Sequence, residues 1–142
     1  ITLMAWVRPK TTLPAADEYI VCKGADRYMM QHQSTGKFRL YIAGATIDIA
    51  STTTGTADRW YHVVETYDRV FGQARIFVNG VLETTVASTI AIGTDTNILA
   101  IGKYYTTGYW FAGFLGEIGV YNRALTPHEI LNLYNETKGH YG

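Results

Sequence analysis

The fold is decided by residues 73–85, QARIFVNGVLETT, in which two runs of alternating side chains flank Asn79-Gly80. A two-residue hairpin turn needs positive φ at both central residues, and Asn-Gly adopts that conformation at the lowest cost. In each run, β-branched and aromatic residues alternate with others, which is typical of a strand with one buried face. The stretch therefore predicts a tight antiparallel hairpin.

The same period of two extends along nearly the whole chain. Short runs rich in Val, Ile, Thr, Tyr and Phe recur between clusters of Gly, Asp, Asn and Ser. We predict strands at Thr2–Val7, Tyr19–Lys23, Tyr28–Gln33, Lys37–Ile42, Thr46–Ala50, Trp60–Tyr67, Gln73–Val78, Val81–Val86, Asn97–Ile101 and Gly113–Tyr121. Polar residues 51–56 are expected to form a loop. Short strands without interleaved helices indicate an all-β antiparallel sandwich or barrel.

One helix is predicted at the end of this chain. Thr126 supplies a capping hydroxyl, Pro127 takes the first helical position, and Glu129 completes a capping box. Gly139 is expected to end the helix. Its apolar stripe comprises Ile130, Leu133 and Tyr134. A helix this short is marginal alone, so we expect the stripe to dock on the sandwich.

Composition indicates one well-packed globular domain. The 142 residues are 47% apolar, and 12 basic side chains balance 12 acidic ones. Because the charges are scattered, no basic surface predicts a nucleic-acid partner. No apolar run is long enough to span a bilayer, so membrane insertion is not expected. The single cysteine, Cys22, lies in an apolar run and is predicted to be a buried, inert thiol.

The first residues of the chain bear on its parent protein. Ile1 stands inside an apolar run, without an initiator methionine or a leader before it. We therefore expect residues 1–142 to be one domain of a longer polypeptide.

Three segments together resemble the laminin-G-like jelly rolls of the concanavalin A-like lectin and glucanase superfamily. Residues 2–9, TLMAWVRP, are similar to the family's early tryptophan strand. Residues 60–80, WYHVVETYDRVFGQARIFVNG, are similar to its central hairpin, and residues 101–130 to its closing strand and helix. The resemblance implies an antiparallel two-sheet β-sandwich, or jelly roll, with one short C-terminal helix. Gly116 stands where the family has an Asp, so no role of that carboxylate carries over.

Catalysis is not expected. The resemblance implies that hydrolases of this fold carry acidic residues at positions i, i+2 and i+5 of one strand, and this sequence has no such array. His62 has no Ser or Cys partner in a nucleophile motif, so we predict a hydrogen-bonded structural histidine. Asp68 ends a predicted strand and is expected to anchor the turn that follows.

Calcium stays open as a cofactor, because the resemblance implies that metals on this fold are held by loop oxygens at the rim of the sandwich. The loop oxygen donors are Asp17, Glu18, Asp26, Asp95 and Asn97. They show no ligand spacing, so no ligand set is assigned.

The segment Lys103–Phe111 holds the candidate binding residues Tyr104, Tyr105, Tyr109 and Trp110. Aromatic faces stack on the apolar faces of sugars, and hydroxyl groups hydrogen-bond with sugar hydroxyls. These residue types therefore suit a carbohydrate or peptide site on a loop. The alternative is that Trp110 and Phe111 belong to the core while the tyrosines cover an edge or a subunit contact.

Two functions follow from these features. The resemblance implies a non-catalytic recognition or adhesion module that binds carbohydrate or protein through rim loops, on a secreted, cell-surface or virion-surface protein. The alternative is a structural or assembly domain of a surface filament, appendage or virion, with no small ligand. The balanced charge and the lack of a convergent polar site favour this alternative, in which the domain self-associates.

Overall fold

The computed structural model describes residues 1–25, 27–42 and 46–142. Over these residues the chain forms ten β-strands, one α-helix and a short 3-10 segment. The strands are β1 (Thr2–Pro9), β2 (Glu18–Lys23), β3 (Tyr28–His32), β4 (Lys37–Ile42), β5 (Ile47–Thr54), β6 (Tyr61–Asp68), β7 (Gln73–Val78), β8 (Val81–Ala87), β9 (Leu99–Ile101) and β10 (Gly113–Tyr121). The helix α1 spans Pro127–Thr137, and the 3-10 segment spans Lys138–His140.

The strands form two antiparallel sheets, each of five strands within the described ranges. The first sheet has the order β10-β1-β6-β7-β8, and the second has the order β5-β4-β3-β2-β9. The predicted antiparallel β-sandwich with one short C-terminal helix is confirmed. The chain is therefore a jelly roll with its core between the sheets.

The predicted loop at residues 51–56 is wrong in its first part, because β5 continues to Thr54. Thr54 pairs with Lys37 of β4, and the Ser51 hydroxyl accepts a hydrogen bond from the backbone N–H of Phe38 at 2.9 Å. Threonine is polar but β-branched, so it suits a strand at the edge of a sheet.

The main core lies between the two sheets. Alternate residues of facing strands supply it, as the period of two requires. Its buried members are Leu3, Ala5, Val7, Ile20, Val21, Met30, Phe38, Leu40, Ile42, Ile47, Tyr61, Val63, Tyr67, Ala74, Ile76 and Val78. Each large side chain buried here stabilises the fold by about 1.5–3 kcal/mol relative to its exposed state.

A second, smaller core joins α1 to the outer face of the first sheet, as predicted. Ile130 is 0% exposed and packs with Met4, Val64 and Phe77. The capping box is present, because the Glu129 N–H donates to Thr126 Oγ1 at 3.2 Å and the Thr126 N–H donates to Glu129 Oε2 at 2.8 Å. The helix therefore begins where the sequence predicts, and both faces of β1 and β6 are buried.

His62 is buried on this outer face, but the predicted hydrogen bonds are wrong. Neither ring nitrogen has a hydrogen-bond partner in the described part of the chain. The imidazole ring instead packs against Trp6 and Tyr134, with centroid distances of 5.1 Å and 6.0 Å. Burial lowers the pKa of His62 to about 4, so the neutral ring serves as one more aromatic group in the packing.

The turn role predicted for Asp68 is confirmed. Its Oδ1 accepts hydrogen bonds from the backbone N–H groups of Val70 at 2.9 Å and Phe71 at 3.0 Å. This Asx-type turn connects β6 to β7 and leaves both apolar side chains outside, since Val70 is 92% exposed and Phe71 is 81% exposed.

The Asn79-Gly80 turn has the predicted conformation. Asn79 has φ of 52° and Gly80 has φ of 78°, as a two-residue hairpin of type I′ requires. The Asn79 side chain adds a contact of its own, because its Oδ1 accepts a hydrogen bond from the His62 N–H at 2.9 Å. The turn therefore ties the hairpin to β6.

We predict that Asn79→Val lowers the free energy of unfolding by about 1 kcal/mol or more, because a β-branched residue resists positive φ and the hydrogen bond is lost. Asn79→Gly keeps the backbone conformation and loses only the hydrogen bond, so its loss should be smaller. Urea denaturation of the wild type and the two variants measures the loss of stability that each substitution causes. Equal stability of wild type and Asn79→Val would contradict the role of the turn.

Glu65 is a carboxyl group inside the main core. It is 1% exposed and lies in register between Leu3 of β1 and Ile76 of β7, which are both core residues. Neither of its carboxyl oxygens has a hydrogen-bond partner among the described residues. Burial raises the pKa of Glu65 well above its ordinary value of 4.5, so the folded chain holds the neutral acid.

We predict that Glu65→Met raises the free energy of unfolding at pH 7 by about 1–3 kcal/mol, because it removes a buried acceptor that has no partner. An acid whose pKa is raised on folding contributes most stability below its unfolded pKa of 4.5 and loses that contribution as the pH rises toward the folded pKa. The advantage of Met should therefore be smaller at pH 4 than at pH 7. Urea denaturation at both pH values measures it, and an equal difference at the two would contradict the burial of Glu65.

Candidate functional site

The outer face of the second sheet carries a row of polar side chains. Tyr19 of β2 pairs with Gln31 of β3, and Gln31 pairs with Arg39 of β4. The next residues along β3 and β4, Met30 and Leu40, belong to the core. Since successive side chains of a strand point to opposite faces, the row lies on the face turned away from the core.

Four tyrosine rings meet at one end of this row. The Tyr104 ring lies 4.9 Å from Tyr19, 4.7 Å from Tyr105 and 6.1 Å from Tyr109, measured between ring centroids. The Tyr109 ring also lies 5.9 Å from Tyr19. The Tyr104 ring meets Tyr105 and Tyr109 edge-to-face, at 71° and 83°, an arrangement that aromatic pairs prefer. The two pairs with Tyr19 are tilted, at 57° and 59°. We call this group the tyrosine cluster.

The backbone of the loop holds the cluster in place. The Gly102 N–H donates to the carbonyl of Ile20 at 2.8 Å, and the Phe111 N–H donates to the carbonyl of Gly102 at 3.0 Å. A third bond runs from the Tyr19 N–H to the carbonyl of Tyr109 at 3.3 Å. The loop is therefore closed at its base and tied to β2, the strand that carries Tyr19.

Tyr109 has an unusual backbone conformation. Its φ is 52°, in the left-handed region that an aromatic residue rarely adopts. The side chain is 56% exposed, so burial of the ring does not compensate for this cost. Strain of this kind is often found at binding sites, where the surrounding structure maintains it.

Arg39 forms a charged group beside the tyrosine cluster. Its guanidinium donates two hydrogen bonds of 2.6 Å to the Asp48 carboxylate and one of 3.1 Å to Gln31 Oε1. Asp17 lies 3.5 Å from the same guanidinium. The hydrogen bonds to Arg39 lower the pKa of Asp48, which keeps this carboxylate charged. With two carboxylates around one guanidinium, the group has a net negative charge.

Tyr19 links the cluster to this charged group. Burial, together with the nearby Tyr104 hydroxyl and Asp17, raises the pKa of Tyr19 to about 12. The phenol therefore stays protonated at neutral pH and can both donate and accept a hydrogen bond. The face thus combines apolar ring surfaces, hydroxyl groups and charged acceptors within one row.

The structure brings together three of the four predicted site residues, namely Tyr104, Tyr105 and Tyr109. Trp110 is not part of the cluster. Its ring is 62% exposed and lies 5.4 Å from the Lys103 ammonium. The alternative that placed Trp110 in the core is therefore wrong, whereas Phe111 does pack against the main core.

Sequence reasoning missed Tyr19, Gln31 and Arg39. Tyr19 lies in an apolar run, and a register shift between Tyr19 and Val21 breaks the simple alternation of β2. Gln31 is only 2% exposed, which is unusual for a polar residue and shows that it is held by its partners. Strand pairing alone could have grouped these residues.

The loop oxygens proposed for calcium do not form a shared site. Asp95 contacts Lys23 at 3.1 Å and Arg27 at 3.0 Å, while Asp17 contacts Arg39. Within residues 1–25, 27–42 and 46–142, no three His, Cys, Asp or Glu side chains group around a point that could hold a metal ion. Asp26, also in the predicted set, lies outside the described residues. The described Asp and Glu side chains of the predicted set therefore form no common group of calcium ligands.

Cys22 is 0% exposed, as predicted for an inert thiol. In the part of the chain that the structure covers, no helix has the length and the apolar character to cross a bilayer.

Solved structures of similar architecture cover most of this chain. A candidate carbohydrate-binding protein of Bacteroides ovatus has a TM-score of 0.77 and 22% identity, covering 92% of this chain and 39% of that protein. The SAP-like pentraxin of Limulus polyphemus has a TM-score of 0.71 and 18% identity, with coverages of 94% and 68%. The carbohydrate-binding module of a Ruminococcus gnavus sialidase, bound to α2,3-sialyllactose, has a TM-score of 0.71 and 17% identity, with coverages of 94% and 80%. At these identities, the similarity shows the shared fold.

The family comparison agrees with the structures. This chain spans 39% of the B. ovatus protein, so it corresponds to a part of that longer protein. No curated protein sequence matches it. A laminin-G-like family model matches residues 1–131, and the chain therefore belongs to the concanavalin A-like lectin/glucanases superfamily.

Proposed function

We propose that this chain is a non-catalytic carbohydrate-binding module whose binding surface is the tyrosine cluster with the Arg39 group beside it. The observation that carries the proposal is the meeting of Tyr19, Tyr104, Tyr105 and Tyr109 on the outer face of the second sheet. Family membership and the carbohydrate-binding proteins among its structural neighbours support this function. As part of the same proposal, the module works outside the cell or on a virion surface.

The chemistry of the face suits a sugar. A pyranose ring has one apolar face of C–H groups, which packs on aromatic rings, and a rim of hydroxyl groups that need hydrogen-bond partners. The tyrosine rings supply the apolar contact, and Tyr109 is exposed enough to reach a ligand. The carboxylates of Asp17 and Asp48 can accept hydrogen bonds from sugar hydroxyls while they hold Arg39.

The charge of the face favours a neutral glycan. Arg39 acts electrostatically on Tyr19, and two carboxylates already neutralise its charge. A sialylated glycan would bring a further negative charge to this group, which costs free energy. The R. gnavus module is bound to sialyllactose, whereas here we expect a preference for uncharged sugars.

We predict that a glycan array will show binding to neutral oligosaccharides and weaker binding to the same chains capped with sialic acid. Tyr105→Ala should weaken binding about tenfold or more, because it removes an aromatic contact. Phe71→Ala is the matched control, since it removes an exposed aromatic ring from the turn between β6 and β7, two strands of the other sheet. The proposed surface would be contradicted if Phe71→Ala lost binding, or if Tyr105→Ala kept full binding.

A second prediction separates binding from folding at Tyr109. Tyr109→Gly relieves the left-handed strain, so the free energy of unfolding should stay unchanged or rise by up to about 1 kcal/mol. The same change removes an exposed ring from the face and should weaken glycan binding. Thermal melts and isothermal titration with the best array ligand measure the two effects. Weaker binding without loss of stability is the expected result, and full binding would remove Tyr109 from the site.

Assembly is the second candidate function, and a different surface favours it. Val70 and Phe71 project from the turn between β6 and β7 with exposures of 92% and 81%. Exposed apolar side chains of this kind are common at contacts between proteins. Light scattering distinguishes the two functions, because Phe71→Ala should lower the oligomeric state only if the domain assembles through this turn.

A further inference from the structure

The outer face of the first sheet carries a cleft of about 510 Å³, on the sheet opposite to the one that bears the tyrosine cluster. Strand β1, the turn at residues 58–60 and the end of α1 form its walls. This volume lies within the range of about 300–1,000 Å³ that is usual for small-molecule sites. The cleft is therefore large enough for one or two sugar rings.

Aromatic rings form one wall of the cleft. The Trp6 ring stacks on Tyr141 with a centroid distance of 4.5 Å and an interplanar angle of 17°. The Trp60 ring meets Tyr141 edge-on at 4.8 Å. Trp6 Nε1 donates a hydrogen bond to Thr137 Oγ1 at 2.8 Å, which fixes the indole against α1. The wall is therefore held in place before any ligand arrives.

Gly116 makes room for this wall. It pairs with Trp6 across β1 and β10. A Cβ at residue 116 would come within 2.7 Å of Tyr141 Cε1, so a larger residue would displace the ring. Tyr134, Lys138 and Tyr141 lie beyond residue 131, where the family match ends. Part of the cleft lining therefore lies outside the family match.

Basic side chains line the rest of the cleft. The side chains that line the cleft include three basic ones, Arg8, Arg59 and Lys138, and one acidic one, Asp58, and Gly142 also borders it. Arg8 Nη2 lies 3.5 Å from Asp58 Oδ1, at a position that is largely open to solvent. Arg59 forms no ion pair within the described residues, and its guanidinium is available to a ligand. The cleft therefore has an excess of positive side chains.

We propose that this cleft binds the carboxylate-bearing ring of an acidic saccharide. The C–H groups of a uronic acid ring would pack on Trp60 and Tyr141, while its carboxylate would accept hydrogen bonds from Arg59 and Lys138. A guanidinium matches the two oxygens of a carboxylate with two parallel hydrogen bonds. The site lies on the other sheet and takes a different ligand charge, so it is independent of the tyrosine cluster.

The test is isothermal titration of the 142-residue chain with tri-galacturonic acid. The fully methyl-esterified trisaccharide has the same rings without the charge and should not bind. Arg59→Gln and Lys138→Gln should each weaken binding about tenfold or more, since each removes a charged hydrogen bond. Arg69→Gln is the matched control, because it removes one positive charge from an exposed turn outside the cleft and should leave binding unchanged.

Three outcomes would overturn the proposal. Equal binding of the acid and its ester would show that charge is not recognised. Undiminished binding by the double variant Arg59→Gln, Lys138→Gln would place the ligand elsewhere. Loss of binding in Tyr105→Ala would assign the acid to the tyrosine cluster. Gly116→Ala adds an independent arm, because it displaces Tyr141 without removing a charge and should weaken binding while thermal melts confirm that the chain is folded.

Discussion

In the pairing of β1 with β6, Trp6 lies opposite His62 and Leu3 lies opposite Glu65. The burial of both faces of the first sheet depends on this register. It sends one set of side chains to the core between the sheets and the other set to the helix α1. A shift by one residue would exchange the two sets and turn Trp6 away from α1 and toward the core between the sheets. On the other side of β6, the Asn79-Gly80 turn is joined to the same strand by the hydrogen bond from the His62 N–H.

Burial on both faces also explains how much of the fold could be predicted. Turn chemistry and capping residues act locally, so the hairpin and α1 could be located from a few residues each. β1 is apolar at nearly every position, because both of its faces are covered, so alternation could not assign its side chains to a face. Glu65 lies in the core, although a charged residue type is expected at the surface. The threonines of β5 were predicted to form a loop because they are polar, but β5 is an edge strand, and an edge strand tolerates polar residues.

The candidate sites were harder to predict than the fold, because each is assembled from distant parts of the chain. Tyr104, Tyr105 and Tyr109 stand close together and could be proposed from composition alone. Their partner Tyr19 is more than 80 residues away in sequence and reaches them through the pairing of β2 with β9 and the bonds at the base of the loop. The cleft joins Trp6 to Tyr141 across almost the whole chain. No local sequence pattern indicates a contact between residues so far apart in the chain.

The two surfaces differ in how their cations are paired, and this difference is the basis of the two ligands that we propose for them. On the second sheet, Asp48 and Asp17 form ion pairs with Arg39 and neutralise its charge. The guanidinium is therefore not free to bind an anionic ligand, and the face suits sugar hydroxyl groups instead. In the cleft, Arg59 has no such partner within the described residues and keeps its charge for a ligand. A glycan that carries both neutral and acidic sugars could therefore contact the domain on two sides. Because the sheets face opposite ways, one short chain could not reach both surfaces, and simultaneous binding would require a long or branched glycan.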